Sequence, residues 1–282
     1  MRRLGVHTSI AGGLHLGLER AHALGCNTVQ IFSHNPRAWA VKKIPADKIS
    51  QFESLRQKLN ISPVYIHTSY LINMASKDKK LRKRSIDLLI TEMDRADIIG
   101  ADYVILHAGS SSGDDESVSR KRAIGALNEV AMSGEWKADL LIENTAGERG
   151  DIASMLPDLS EIMNSVRRSF ISGICFDTCH AFAAGYNIRE DREIQKIAND
   201  IQKNIGLDKI KLIHLNDSKG NISSGIDRHE HIGLGKIGMK GLIQFITCQP
   251  FRDIPIILET PKKTASDDTE NLKKVRTMTG LK

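Results

Sequence analysis

The chain has 282 residues, of which 40% are hydrophobic and 26% charged, a balance that excludes a disordered or fibrous polymer and implies a packed globular core. Lys and Arg total 40 against 34 for Asp and Glu, a net charge of +6 that suits a polyanionic partner without singling one out. No apolar run approaches the length of a membrane span. The start from Met1 to His7 reads as a strand rather than a signal peptide. Four cysteines (Cys26, Cys175, Cys179, Cys248) without C-x-x-C or framework spacing lead us to expect reduced thiols in an intracellular protein.

Leu4-Gly-Val-His7 is a short apolar run closing on a histidine, followed by the turn Ala11-Gly12-Gly13. Leu14, Leu18, Ala21 and Leu24 then recur at helical spacing up to Gly25, a natural helix stop. Residues 28–32 predict a second strand, 33–39 a loop, and Phe52, Leu55 and Leu59 a second helix. Val64-Tyr-Ile-His67 is a third strand. The loop 68–73 leads from it into a long helix with Ile86, Leu89, Ile90 and Met93 on its apolar face, ending near Gly100. Tyr103-Val-Ile-Leu-His107 is the fourth strand, with Ala123, Ile124, Leu127 and Val130 in the helix behind it. Asp139-Leu-Leu-Ile-Glu143 is the fifth. A helix after Pro157 leads to the sixth strand, residues 171–176, which runs into Asp177, with His180 a short turn further on. Ile194, Ile197, Ile201 and Ile205 mark the next helix. The seventh strand, 211–216, carries His214, and a glycine-bearing loop, 222–238, precedes a short helix at 242–245. Pro255-Ile-Ile-Leu-Glu259 is the eighth strand.

Strands and helices that alternate in this way argue for parallel βα units, and eight of them in this length predict an α/β fold, a (β/α)8 TIM barrel. We expect a single domain over residues 1–282 with its active site at the C-terminal strand ends. An open doubly wound sheet is the structural alternative, but no G-x-G-x-x-G follows any strand.

Seven of the eight strand ends carry a polar residue of metal-binding type: His7, His67, His107, Glu143, Asp177, His214 and Glu259. A single histidine after a strand is more often a hydrogen-bonded loop residue. Crowding seven such groups on one rim is costly unless something pairs with them, and divalent cations suit mixed imidazole and carboxylate donors. His180 lies three positions after Asp177. Asp227 and His229, two apart in extended chain, point to the same side. With His7 set aside, nine candidates remain, enough for two or three metals at three or four ligands each. His15 and His22 read as surface residues.

Two loops on the same rim look outward: Asn35-Pro-Arg-Ala-Trp39 after the second strand and Tyr70-Leu-Ile-Asn73 after the third. Arg, Tyr and Leu on loops are what proteins insert into DNA grooves, and packing against the barrel is an equal reading for Trp39. The basic run Lys77, Lys79, Lys80, Arg82, Lys83, Arg84 suits either a solvated helix face or phosphate tracking.

At this point several segments resemble the endonuclease IV family, zinc-dependent apurinic/apyrimidinic endonucleases of base excision repair. They are His-Thr-Ser-Tyr-Leu-Ile-Asn (67–73), Leu-His-Ala-Gly-Ser (106–110), Leu-Ile-Glu-Asn-Thr-Ala-Gly (141–147), Cys-Phe-Asp-Thr-Cys-His-Ala-Phe-Ala-Ala-Gly-Tyr (175–186), His-Leu-Asn-Asp-Ser-Lys (214–219), Asp-Arg-His-Glu-His-Ile-Gly-Leu-Gly (227–235) and Leu-Glu-Thr-Pro-Lys (258–262). The resemblance covers essentially the whole chain and implies a barrel with three Zn2+ per chain. His67, His107 and Glu143 would hold the first. Glu143 would bridge to a second, completed by Asp177, His214 and Glu259, and His180, Asp227 and His229 would hold the third. It implies catalytic roles for Glu143 and Glu259, and DNA contacts by Arg37, Tyr70 and Leu71, the resemblance being weakest at Pro36 and Ala38. The implied reaction is hydrolysis of the phosphodiester 5′ to an abasic site in duplex DNA, leaving a 3′-hydroxyl and a 5′-deoxyribose phosphate. A monomer is expected, cytoplasmic and nucleoid-associated if prokaryotic. Metal-dependent sugar isomerases and epimerases share the barrel and the strand-end pattern and form the alternative, which gives the third ligand group no task.

Overall fold

The computed structural model describes residues 2–167 and 170–280, so Met1 and residues 168–169 and 281–282 of the expected domain lie outside the described residues. The eight apolar runs form the parallel strands β1 (Leu4–Thr8), β2 (Val29–Ile31), β3 (Val64–His67), β4 (Tyr103–Leu106), β5 (Asp139–Glu143), β6 (Ile171–Asp177), β7 (Ile210–His214) and β10 (Ile256–Leu258). They close into a barrel in the order β1-β10-β7-β6-β5-β4-β3-β2, the expected TIM architecture. Register pairs put the strand ends side by side; Asp177 of β6, for example, lies opposite His214 of β7.

Helices α1 (Leu14–Ala23), α2 (Ala46–Leu59), α3 (Lys79–Ile98), α4 (Glu116–Ser133), α5 (Leu156–Ser165) and α7 (Asp191–Asn204) follow from the apolar spacing. Their starts and stops are local chemistry. Asp78 caps α3 by accepting from the backbone N–H of Lys80 at 2.8 Å, and Gly100 supplies the left-handed residue just beyond its end, at φ 64°, where a side chain would be strained. The buried faces include Ile86, Leu89 and Met93 of α3 and Ile194, Ile197 and Ile201 of α7.

Four local features differ from the sequence reading. The segment after Asp177 is the helix α6 (Thr178–Ala184), not a turn, because the Asp177 side chain accepts from His180 N–H at 2.8 Å and starts it. The helix read as 242–245 extends over α8 (Gly238–Thr247). A two-stranded hairpin, β8 (Asp217–Ser218) with β9 (His229–Glu230), organises the long loop after β7. A last helix, α9 (Asp267–Thr279), follows β10, its charge-rich sequence giving only a weak apolar stripe.

The strand period of two divides the core. Tyr65, Ile105, Leu141, Cys175, Leu212 and Ile257, one from each of six strands, form a cluster of their own inside the barrel. The residues between them, such as Ile66, Val104, Leu140, Ile142, Ile174 and Ile213, belong to the larger core under the helices. Gly5 completes the interior on β1. A Cβ there would sit 2.1 Å from the Thr28 carbonyl oxygen and 2.9 Å from Ile257, so only glycine allows β1 to approach so closely. Leu141→Ala should therefore lower unfolding free energy by about 2–5 kcal/mol, read by denaturant titration; a loss below about 1 kcal/mol would show that this interior layer collapses around the deletion.

Candidate metal centre

The inner row continues upward. His67, His107, Glu143, Asp177, His214 and Glu259 each stand two residues after a member of the interior cluster, so the same strand parity that buries Tyr65 or Leu141 aims these side chains into the barrel mouth. Glu143, Asp177 and His214 are wholly buried. His67, His107 and Glu259 line a cavity of about 790 Å³ above them, joined there by His180, Asp227 and His229. All nine residues expected to ligate metal thus converge on one site.

They sort into three groups, in each of which the donor atoms lie within 4.8 Å of one another: His67, His107 and Glu143; Glu143, Asp177, His214 and Glu259; His180, Asp227 and His229. Glu143 belongs to two of them. Its Oε2 is 3.4 Å from His67 Nε2 and 3.2 Å from His107 Nε2, while its Oε1 is 2.9 Å from His214 Nδ1. His214 Nδ1 is also 3.3 Å from Glu259 Oε2 and 3.9 Å from Asp177 Oδ2. In the third group Asp227 Oδ1 is 3.2 Å from His180 Nε2 and 3.5 Å from His229 Nε2.

Hydrogen bonds on the far side of four of the five rings set their tautomers. Nδ1 of His67, His180 and His229 faces the backbone carbonyls of Thr68, Asn144 and Glu259 at 2.9, 2.9 and 3.0 Å. A carbonyl only accepts, so Nδ1 carries the proton and Nε2 is turned to the carboxylates as a donor atom for a metal. His214 is reversed by Gln30. The Gln30 amide donates to Glu259 Oε1 at 2.6 Å, which leaves its carbonyl oxygen 2.7 Å from His214 Nε2 and frees Nδ1 for the centre. Glu143 Oε2, His180 Nε2 and His229 Nε2 are buried without a hydrogen-bond partner. Buried polar atoms are seldom left in that state, and three orphans within one mixed imidazole and carboxylate set fit divalent metal ions of the zinc type.

Electrostatics agree. Burial pushes the Glu143 carboxyl up, but the imidazoles of His214, His107 and His180 outweigh it and hold it well below the usual carboxylate range. Burial likewise opposes the charge on Asp227, yet His180 and His229 bring it to about 2. Burial disfavours protonated His180, but Asp177, Asp227 and Glu143 raise it well above the ordinary imidazole range. Cys175 and Cys179 also lie among these donors, but burial pushes both thiols up to about 12, which disfavours thiolate ligation.

His7 lines the cavity beside the centre, with Nδ1 3.3 Å from Glu259 Oε1 and 2.8 Å from the Gln30 amide nitrogen, and it joins none of the ligand groups. His22 is exposed, as expected, whereas His15 is half-buried. Of the outward loops, Arg37 is exposed and Tyr70 is 66% exposed, its ring edge-on to Phe32 at 5.3 Å; Leu71 is half-buried. Asn35, Pro36 and Tyr70 form one wall of the cavity. Trp39 packs against the core under the Arg84 guanidinium, 4.0 Å from its ring. The basic run divides: Arg82 bonds the Ser76 carbonyl at 2.5 Å, Lys83 pairs with Asp87 and Glu129, and Lys77, Lys79 and Lys80 are exposed.

Sequence reasoning missed Gln30, the one polar side chain within β2 (Val-Gln-Ile). A lone polar residue inside a buried strand was the available signal. It also missed Asp217, buried on β8, whose carboxylate accepts from the backbone N–H groups of Gly235 and Ile237 at 3.0 Å each and anchors the loop that carries Asp227 and His229.

The chain matches the model of a family described as xylose isomerase-like TIM barrel over residues 18–278. It is 43% identical over 265 residues to a protein of Halothermothrix orenii named probable endonuclease 4, covering 94% of this chain and 95% of that one. The solved structure of endonuclease IV from Thermus thermophilus superposes with a TM-score of 0.87 at 32% identity, covering 99% of this chain and 100% of that one. A D-tagatose 3-epimerase-like protein superposes with a TM-score of 0.75 at 18% identity, covering 99% of this chain and 97% of that one, a likeness of fold.

Gln30→Leu should lower the affinity for a divalent metal ion by about 10–100-fold, the usual cost of removing a group that orients a metal-binding imidazole. Competition titration against a chromophoric chelator measures it, and unaltered affinity would remove Gln30 from the support of the site.

Proposed function

This chain belongs to the endonuclease IV family of the xylose isomerase-like TIM barrels, and from that premise we propose that it hydrolyses the phosphodiester 5′ to abasic sites in duplex DNA. The products are a 3′-hydroxyl and a 5′-deoxyribose phosphate, and the process served is base excision repair. The observation that carries the reading is Glu143, which turns one oxygen to each of two ligand groups while a third group stands at the cavity mouth. Three zinc ions would be held, the first by His67, His107 and Glu143, the second by Glu143, Asp177, His214 and Glu259, and the third by His180, Asp227 and His229. Bound there, they would supply Lewis-acid chemistry, acidifying water and neutralising charge on the phosphoryl oxygens.

The protein's own contribution is geometry and environment. Glu143 and Glu259 enter the chemistry as carboxylates at its centre. The backbone acceptors behind His67, His180 and His229 hold these rings with Nε2 turned inward, and burial of Glu143, Asp177 and His214 keeps bulk water from the strand ends. The cavity of about 790 Å³ accommodates an extruded abasic nucleotide, which is cheap to flip because it has no pairing partner. Tyr70 lines the cavity and Pro36, beside Arg37, forms part of its wall; Arg37, Tyr70 and Leu71 would enter the minor groove from these loops, and the net charge of +6 favours approach to phosphates. All nine metal-type residues belong to one chain, and we propose that it acts as a monomer. Among the described residues no helix is long and apolar enough to cross a membrane, and we place the enzyme in the cytoplasm beside the DNA it repairs. Sugar isomerisation is the weaker reading, because it leaves the third ligand group and the exposed Arg37 and Tyr70 without a task.

A duplex bearing a single tetrahydrofuran abasic analogue tests this directly. Incision 5′ to the analogue should vanish on prolonged chelation and return with zinc; no incision by zinc-verified protein would sink the proposal. Glu143→Gln should lose at least about a hundredfold in turnover, beyond what loss of a supporting residue costs, yet still bind the abasic duplex. Arg37→Ala and Tyr70→Ala should raise KM with metal content unchanged.

A further inference from the structure

We propose that Glu92 is a positioning residue that presets the two DNA-facing loops against each other; the inference rests on the reading above that Arg37 and Tyr70 meet DNA. Glu92 lies on α3, behind the rim, and is buried, at 1% exposure. Its Oε1 meets His34 Nε2 at 2.6 Å and accepts from the Ser69 N–H at 3.0 Å. His34 stands three residues before Arg37, on the loop after β2, and Ser69 immediately precedes Tyr70, on the loop after β3. Ser69 Oγ then donates to the Pro36 carbonyl at 2.7 Å. The contacts therefore close a ring, from Glu92 through His34 and Pro36 to Ser69 and back, that passes one residue from Arg37 and one from Tyr70.

Arg95, one helical turn further along α3, holds the remainder of the first loop. Its Nε donates to Ser33 Oγ at 3.1 Å and its Nη1 to the Lys42 carbonyl at 2.8 Å. A buried carboxylate is costly unless its lone pairs are taken, and here the groups that take them are the two loops themselves. Loops fixed before DNA arrives lose less conformational freedom on binding. The signature of Glu92 is therefore expected in binding, with the chemical step spared, because it touches none of the nine metal-type residues.

Steady-state kinetics of the metal-loaded enzyme on the tetrahydrofuran duplex separate these effects, with metal per chain and thermal unfolding followed in parallel. Glu92→Gln keeps the shape but loses one acceptor. It should raise KM about tenfold with kcat within about twofold and metal content unchanged, as expected when pre-ordering of a binding surface is lost. His34→Ala should raise KM less, and the double variant should be no worse than Glu92→Gln alone, because both break one ring. Unchanged KM, a fall confined to kcat, or simple addition of the two losses would overturn the proposal while leaving the DNA-facing reading intact, provided Arg37→Ala raises KM. If Arg37→Ala and Tyr70→Ala also leave KM unaltered, the underlying reading fails instead. Should Glu92→Gln not fold, Ser69→Ala, which cuts the link to Pro36, is judged the same way: a raised KM supports the ring and an unchanged KM overturns it.

Discussion

The parity of the barrel strands is the constraint on which everything else depends. Each of six strands places one apolar residue in the interior and, two positions later, a histidine or carboxylate at the mouth. A slip of one residue in any strand would turn the ligand under a helix and an aliphatic side chain into the centre. The packing of Tyr65, Ile105, Leu141, Cys175, Leu212 and Ile257 is thus also the device that aligns the metal-type groups, so core and site are one stack read at two heights.

Above that stack the electrostatics are self-consistent only as a set. Glu143 stays ionised in full burial because imidazoles surround it, and against the opposing effect of burial His180 is raised well above the usual imidazole range by Asp177, Asp227 and Glu143, as His214 is by Cys175, Glu143 and Glu259. Removing any one member leaves the others with uncompensated charge or an orphaned donor. The outer supports are graded with depth. Gln30 orders the deepest histidine, main-chain carbonyls order the next, and the buried Asp217 ties down the loop that brings Asp227 and His229.

The strands and their polar ends were legible in the sequence because an apolar run closing on His, Asp or Glu is a local pattern. What stayed hidden depends on partners distant in the chain. Gln30 meets Glu259 and His214, 229 and 184 residues away, and nothing in Val-Gln-Ile announces that. Glu92 is a charged residue beside the apolar positions Leu89 and Met93, with no local sign of its burial, although its carboxylate is among the most buried in the chain. The spacing of Asp177 and His180 fits a turn and a helical first turn equally well, and only the cap formed by Asp177 decides for the helix. Trp39 offered packing and DNA contact on equal terms, and in the structure it packs against the core with Arg84 over its ring.

Three of the histidine rings are steered by main-chain carbonyls, those of Thr68, Asn144 and Glu259. A carbonyl is common to all twenty amino acids, so codon changes at positions 68 and 144 can alter the side chain and leave the acceptor in place. Sequence drift therefore has little purchase on the orientation of these rings. The fourth, His214, hangs on the side chain of Gln30, and there one missense change can reach the geometry of the centre. Among these four rings, dependence on an outer side chain falls on a single strand position.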